Sequence, residues 1–331
     1  MRTPVFWGPG KGGMKSALLA PVAWAYGAGV AVRSTIAPKP WPSPVPVICA
    51  GNVTAGGSGK TPVAMAIATN LAAMGKTPHF LIRGYGGSLQ GPLCVDPIRH
   101  GAADVGDEAL LLTAHHPTWI GADRAVTARL AIAEGADVLV MDDGLQNNTL
   151  QRDLGILVFD GGFGIGNGRL LPAGPLREPL ATAITHAQAA VIVGDDQTGI
   201  ASLLPRGLPM LSADVVYGPE ATKLAGSRVV AFAGIGRPEK FFATLAATGA
   251  DITDRIPFPD HHAFSAADTA MLTARARQLD ARLVTTEKDW VRLNPGFRTE
   301  VFRLTIELRW RDDSALANLL APLFDGELNA G

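Results

Sequence analysis

The chain has 331 residues, 47% hydrophobic and 18% charged, the balance of a globular protein with room for one large or two ordinary domains. A formal net charge of −1 excludes any whole-protein electrostatic case for nucleic-acid binding. Two cysteines, Cys49 and Cys94, make neither a disulfide framework nor a metal set.

The first forty residues differ from the rest. Lys11 and Lys15 lead into an uncharged run from Ala17 to Val32, followed by Arg33 and Lys39. The run is shorter than the roughly 20 residues needed to span a bilayer. It suits either an ordinary core helix or a helix lying in a membrane interface. Trp7, Trp24, Tyr26 and Trp41 with basic flanks suit the headgroup boundary. The Pro-rich stretch Pro38 to Pro46 is a stiff lead-in to the first strand.

Pro46 to Ala50 reads as that strand and Val63 to Met74 as a helix. Between them lies Gly51-Asn52-Val53-Thr54-Ala55-Gly56-Gly57-Ser58-Gly59-Lys60-Thr61-Pro62. Strand, glycine-rich turn and helix is the arrangement that cradles a nucleotide's phosphates, with backbone N–H groups and the helix N-terminus facing the anion. Residues Thr54, Ala55, Gly56, Gly57, Ser58, Gly59, Lys60 and Thr61 form the expected nucleotide loop. Lys60 reaches the β- and γ-phosphates, and the Thr61 hydroxyl is placed for Mg²⁺. The usual motif begins with glycine where Thr54 stands. A Mg-nucleotide site needs the cytosolic nucleotide pool, which argues against reading the N-terminus as an export signal.

His79 to Arg83 reads as a second strand delivering the turn Arg83-Gly84-Tyr85-Gly86-Gly87. Asp107 and Glu108 stand at the start of an apolar helix, where capping or dipole complement is the plain account. Pro117 to Gly121 is a short strand, and Arg124 to Glu134 a helix. Val138 to Asp142 is an apolar strand ending in Asp142-Asp143-Gly144-Leu145-Gln146. A carboxylate at that end is where a P-loop fold keeps its Mg²⁺-associated acid, so Asp142 joins Thr61 as a metal candidate. Leu154 to Asp160 and Ala189 to Val193 read as further strands, with a helix through about Ala187 before the second. Val229 to Ala233, a helix from Pro238 to Ala247, a capped helix from Ser265 with Asp268 in its capping box, and Arg282 to Thr286 continue the rhythm. Glu300 to Trp310 and Ser314 to Leu323 read as a closing strand and helix. The Gly-x-Gly at Gly234 and Gly236 lacks the third glycine of a dinucleotide signature. His261 and His262 have no second ligand pair nearby, so a loop histidine handling a proton or a phosphate is preferred to a metal site.

Taken together, these stretches resemble the tetraacyldisaccharide 4′-kinase family, the lipid A 4′-kinases. The carrying segments are the loop Gly51 to Pro62, Arg83 to Gly87, Gly106-Asp107-Glu108, Asp142 to Gln146, Leu171-Pro172-Ala173-Gly174-Pro175-Leu176-Arg177-Glu178, Phe258-Pro259-Asp260-His261-His262 and Thr286-Glu287-Lys288-Asp289. They run in the family's order from about residue 50 to 293, and the Thr54 departure is what this family's loop looks like. The resemblance implies ATP-dependent phosphorylation of the 4′-hydroxyl of an acylated glucosamine disaccharide 1-phosphate, giving lipid IVA. It implies an α/β fold with a P-loop NTPase-like parallel-sheet domain, a second Rossmann-like domain and an N-terminal membrane-associated helix. It also implies ATP and Mg²⁺ as cofactors, a lipid substrate, no nucleic acid, and attachment to the cytoplasmic face of the bacterial inner membrane. Residue by residue, it makes Asp107 the base for the sugar hydroxyl, His261 its orienting partner from another domain, and Lys60 the phosphate lysine. Arg124, Asp143, Gln146, Arg177 and Glu178 are candidates for substrate or phosphate contacts. His262 stays open as an alternative to His261. The domains are expected at 1–40 (membrane-associating helix), 41–170 (P-loop kinase domain), 171–310 (second domain) and 311–331 (C-terminal helix and tail).

Rival readings are a membrane-partitioning P-loop ATPase, a GTP-dependent switch and a soluble small-molecule kinase. The first needs a lysine where Ala55 stands, and the second an Asn-Lys-x-Asp that Glu287-Lys288-Asp289 does not supply. Acyl-chain preference and oligomeric state have no spacing signature in the sequence.

Overall fold

The computed structural model describes residues 4–36 and 39–324. Among the described residues there are thirteen strands, most of them joined through helices: β1 (Val47–Gly51), β2 (Pro78–Ile82), β3 (Leu93–Cys94), β4 (Thr118–Ile120), β5 (Val138–Asp142), β6 (Leu154–Asp160), β7 (Ala189–Val193), β8 (Met210–Tyr217), β9 (Arg228–Ala233), β10 (Asp251–Pro257), β11 (Arg282–Thr286), β12 (Val301–Leu304) and β13 (Ile306–Trp310). Among the described residues they form a nine-stranded sheet, ordered β13-β8-β7-β6-β1-β5-β2-β4-β3, and a four-stranded sheet, ordered β10-β9-β11-β12. The smaller sheet is parallel throughout, and the larger is antiparallel at its two outermost pairs, β13 with β8 and β3 with β4.

Strand alternation explains the layering. Ile48 and Ala50 of β1 pack on one face with Val63, Ile67 and Leu71 of the helix Lys60–Ala73. Val47 and Cys49 face the other way, with Leu139, Met141 and Ala128. Every residue of β1, β5, β6 and β7 is buried, as expected of parallel strands covered by helices on both faces. The chain leaves β1 toward β2 on one side and later adds β6 on the other. β1 therefore sits at the topological switch point, where ligands bind beyond the strands' carboxyl ends.

Two expectations are corrected. The sheets do not divide the chain near 170, because β7, β8 and β13 all belong to the large sheet. Its run ends at Tyr217, the small sheet occupies 228–304, and the chain then returns. The strand expected over Glu300 to Trp310 is two strands that change sheet at Thr305, whose N–H donates to Glu220 Oε1 (3.0 Å). Local hydrophobic rhythm is the same on both sides of such a junction, so it marks no boundary. Strands β3, β8 and β10 have no counterpart among the strands expected from the sequence.

The N-terminal segment forms the helices Gly13–Leu18 and Ala20–Thr35. Of residues 20–32 Ala23 alone is buried, which overturns an ordinary core helix. Trp24 is 80% exposed and Val22 54%. Trp7 and Trp41 instead belong to the body: Trp7 Nε1 donates to Pro172 O (3.1 Å), and the Arg129 guanidinium lies 4.6 Å above the Trp41 ring. Among the described residues no helix is long and apolar enough to cross a membrane. Pro38, the Arg33 side chain and the tail from 325 lie outside the described residues.

Candidate active site

The glycine-rich loop joins β1 to the helix Lys60–Ala73, and Gly59 caps that helix at φ 85, a left-handed conformation that suits glycine. The loop is tied down from the opposite side. Ala55 N–H donates to Pro175 O (2.7 Å), and Arg177 N–H donates to Val53 O (2.8 Å). Thr54, in the position of the usual first glycine, is buried and bridges to Leu176. Ser58 Oγ is buried with no hydrogen-bond partner among the described residues, a hydroxyl that a phosphate oxygen would satisfy.

Register brings the acid to the loop. Ala50 pairs with Asp142, so the carboxyl ends of β1 and β5 are adjacent. Thr61 Oγ1 donates to Asp142 Oδ2 (2.7 Å), and Lys60 Nζ lies 3.7 Å from Asp143 Oδ2. Burial, with the Glu108 and Asp143 charges, pushes the Asp142 carboxyl up to about 7 against the opposing pull of Lys60 and Thr61. Asp142 Oδ1 is buried and unpartnered among the described residues. A fully buried carboxylate with one free oxygen beside a threonine hydroxyl fits a hard divalent cation. Among the described residues no group of three or more acidic, histidine or cysteine side chains forms a complete cage.

The second wall comes from the Leu171 to Glu178 segment. Its pairing with residues 53–55 aims Arg177 at Asp143, Nη1 to Oδ1 at 2.8 Å. Asp143 itself has φ 59, unusual for a residue with a side chain. Gln146 Nε2 donates to Glu178 Oε1 (2.7 Å) and to Asn52 O (3.1 Å). Arg124 is 3% exposed and donates to Gly121 O, while its Nε has no partner among the described residues. Burial lowers its pKa to about 10, so it stays charged at neutral pH and suits a phosphate.

Asp107 begins the helix Asp107–Thr113 behind Gly106, whose φ is 86. A side chain at Gly106 would strike the Tyr85 carbonyl, and one at Gly87 would meet Asp104 O at 2.5 Å. The Arg83 to Gly87 turn thus packs directly on the segment that presents Asp107. From the small sheet, the loop after β10 presents His261, and His261 Nδ1 lies 3.0 Å from Asp107 Oδ2. Burial raises the Asp107 carboxyl's pKa, but the His261 hydrogen bond, Lys288 and Arg292 outweigh it and hold it at about 2. With the carboxylate ionised, the shared hydrogen belongs to His261 Nδ1. His262 faces away: it stacks on Phe258 at 4.6 Å and its Nε2 lies 3.1 Å from Asp268 Oδ2.

The structure therefore brings together Lys60, Thr61, Asp142, Asp143 and Arg177 at the loop. Asp107 joins them through Glu108, which feels both Lys60 and Lys288. Sequence reasoning assigns no role to Lys288 or Arg292. Lys288 Nζ is 3.1 Å from Glu108 Oε1 and 4.0 Å from Asp107 Oδ2. Arg292, nearly buried, is 3.3 Å from Asp107 Oδ2 and donates to Gly234 O (3.0 Å) and His262 O (3.2 Å). Its place four residues after Lys288, on the same side of a helical turn, is the available signal.

A sequence profile of the tetraacyldisaccharide-1-P 4′-kinase family matches residues 15–325. A tetraacyldisaccharide 4′-kinase of Gluconacetobacter diazotrophicus is 51% identical over 320 residues, covering 97% of each chain. One from Rhodospirillum centenum is 50% identical over 335 residues, covering 100% of this chain and 99% of that protein. Among solved structures, LpxK from Aquifex aeolicus in complex with ATP superposes with a TM-score of 0.75 at 27% identity. The match covers 94% of this chain and 100% of that one.

Proposed function

Because the chain belongs to the tetraacyldisaccharide 4′-kinase family, we infer that its cleft transfers the γ-phosphoryl group of ATP to the 4′-hydroxyl of tetraacyldisaccharide 1-phosphate, forming lipid IVA in lipid A biosynthesis. Membership sets aside the partitioning ATPase and the soluble small-molecule kinase. The observation that carries the mechanism is the Asp107–His261 pair, contributed by two sheets to one cleft beside the phosphate loop.

In phosphoryl transfer the protein's work is positioning and charge neutralisation. Residues 54–61 cradle the triphosphate, with Lys60 neutralising its β- and γ-phosphates. Asp107 takes the proton of the 4′-hydroxyl. Its Oδ2 is committed to His261 and Arg292, and its Oδ1 receives Glu108 N–H (3.0 Å) with a lone pair to spare. A carboxylate held at about 2 is a weak base. In a loose transition state, however, the hydroxyl proton leaves late, and a weak base in position suffices. His261 fixes the carboxylate's orientation. Thr61 and Asp142 would hold Mg²⁺, which supplies charge neutralisation on the transferring phosphates. Arg124, Asp143, Gln146, Arg177 and Glu178 form the wall against which the disaccharide and its phosphate lie.

The exposed apolar helix Ala20–Thr35 docks the protein on the cytoplasmic face of the inner membrane, where an acylated substrate resides. The preceding helix, Gly13–Leu18, is tied to the body by Ser16 Oγ donating to Ala173 O (2.6 Å). That tie joins the N-terminal segment to the same stretch that carries Arg177 and Glu178.

The test is incubation of detergent-solubilised protein with γ-labelled Mg-ATP and the disaccharide 1-phosphate, alongside Asp107→Ala and Lys60→Ala. Label on the lipid, lost in both variants, is the expected result. Label undiminished in Asp107→Ala removes the proposed base. Lys60-dependent phosphate release with no labelled lipid overturns the kinase reading.

A further inference from the structure

The small sheet touches the phosphate loop at a second place, away from the Asp107–His261 pair. Arg237 follows the Gly234 to Gly236 turn and precedes the helix Pro238–Ala247. Its Nη2 donates to Gly57 O, a carbonyl of the phosphate loop, and to Asp160 Oδ2 (2.7 Å) at the end of β6. Lys240 Nζ, one turn later on that helix, meets the same oxygen at 2.8 Å. Two cations thus converge on one carboxylate, and the junction carries a surplus positive charge at the open side of a loop built for a polyanion. Asp160 is almost buried, and Arg237 and Lys240 outweigh that burial and hold its carboxyl below the ordinary range.

The guanidinium is not saturated. Both of its hydrogen bonds run through Nη2, and among the described residues Nη1 and Nε have none. Its Cζ lies 5.3 Å over the centre of the Phe163 ring, a cation–π contact that helps hold the guanidinium in place. A planar fork with free N–H groups, held against a phosphate-loop carbonyl, is an arrangement that recognises phosphate oxygens in a bidentate way. Gly57 lies two residues before Gly59, in the part of the loop whose backbone faces the phosphates.

We propose that Arg237 is a nucleotide-contacting residue supplied by the second sheet: it binds the phosphates of ATP, and Asp160 holds it at the loop until the nucleotide arrives. The inference rests on the nucleotide role of residues 54–61 in the kinase reading. It gives the small sheet two duties in one cleft, orienting the base through His261 and reading the nucleotide through Arg237. Lys240 keeps Asp160 neutralised when Arg237 turns to the phosphates.

Binding, not turnover, tests this. Titrate the full chain with a fluorescent ATP analogue and Mg²⁺, and measure KM for ATP and for the lipid separately. Arg237→Ala is expected to raise the dissociation constant and KM for ATP at least tenfold and leave the lipid KM within twofold. Arg237→Lys should recover only part, because a point charge does not replace the fork. Asp160→Asn separates a ligand role from a strut: it frees the guanidinium and should tighten the ATP analogue severalfold. Asp160→Asn weakening the analogue as much as Arg237→Ala would make the contact a mere strut and overturn the proposal. So would an Arg237→Ala chain that binds the analogue like the unaltered protein. If the unaltered protein binds the analogue through Arg237 yet labels no lipid, the kinase reading fails and this assignment stands.

Discussion

His261 Nδ1 and Asp107 Oδ2 lie 3.0 Å apart although 154 residues and two sheets separate them. The histidine reaches across with φ 56, a backbone state costing about 1–2 kcal/mol for a residue with a Cβ. Its N–H donates to Gly234 O (3.1 Å), and Arg292 grips both Gly234 O and His262 O while touching Asp107. One arginine therefore fixes the strained turn and the carboxylate it serves. The geometry of the proposed base depends on how the two sheets are seated.

The Asp107 carboxyl is depressed from 3.8 to about 2 in the folded chain, where burial opposes ionisation and His261, Lys288 and Arg292 overcome it. A depressed carboxyl stabilises the fold above its unfolded pKa, near 4, and that contribution is lost as pH falls through 2. The shift corresponds to about 2 kcal/mol. Asp107→Asn should therefore be less stable than the unaltered chain at pH 7, with the gap closing toward pH 3. Urea unfolding at both pH values measures it. An equal gap at the two would mean that the ion cluster contributes nothing. The same variant should lose about 10²-fold or more in kcat.

His261 and His262 are adjacent yet face different partners, and their variants should separate cleanly. His261→Ala removes the donor that lowers the Asp107 carboxyl, so the acid limb of the kcat/KM profile should move to higher pH and kcat should fall. His262→Ala removes a stacking contact with Phe258 and a bond to Asp268, which should lower the melting temperature and leave the acid limb in place. Each bond is worth about 1–2 kcal/mol. A shifted acid limb in His262→Ala instead would reassign the partner.

Much of this site is legible in the sequence because each piece is local. The Gly51 to Pro62 loop sits between an all-apolar strand and a helix, and Asp142 ends another apolar strand, so parallel-sheet geometry alone makes them neighbours. The capping box of Ser265 and Asp268 is equally local, and the helix Ala266–Gln278 begins where it says. Contacts made between sheets leave no spacing signal. Arg237, Lys240 and Asp160 stand in unremarkable helix and strand ends, and nothing local marks Thr305 as the point where one apolar run changes sheet. Lys288 belongs to a recognisable segment, but its role appears only when Glu108 arrives from 180 residues away.

As the proposed Mg²⁺ ligand, Asp142 would trade stability for cation binding. Burial and the neighbouring Glu108 and Asp143 charges make its ionised form costly, and its Oδ1 has no partner among the described residues. Asp142→Asn should keep or raise the melting temperature of the cation-free chain. It should also raise the Mg²⁺ concentration for half-maximal binding of an ATP analogue by about tenfold or more. Thr61→Ala should move the Mg²⁺ requirement the same way without the gain in stability, since it strips a hydrogen bond from a buried carboxylate. A sharply destabilised Asp142→Asn with an unchanged Mg²⁺ requirement would make Asp142 a structural residue.

Trp24 and Val22 sit exposed on a helix in which Ala23 alone of residues 20–32 is buried, so among the described residues no burial rewards their being apolar. Solvent-facing tryptophan on a helix flanked by Lys11 and Lys15 is what an interfacial element needs: apolar side chains entering the acyl boundary and cations at the headgroups. Trp24→Glu should reduce the fraction of protein sedimenting with anionic phospholipid vesicles severalfold. Its unfolding free energy should change by no more than about 0.5 kcal/mol, as for other surface substitutions. Turnover on detergent-dispersed lipid should hold, whereas KM for lipid presented in vesicles should rise, because the proposed role of the helix is in encounter and not in chemistry. A large loss of stability would instead mean that the helix packs against the body. Unchanged sedimentation would move the membrane contact to another surface.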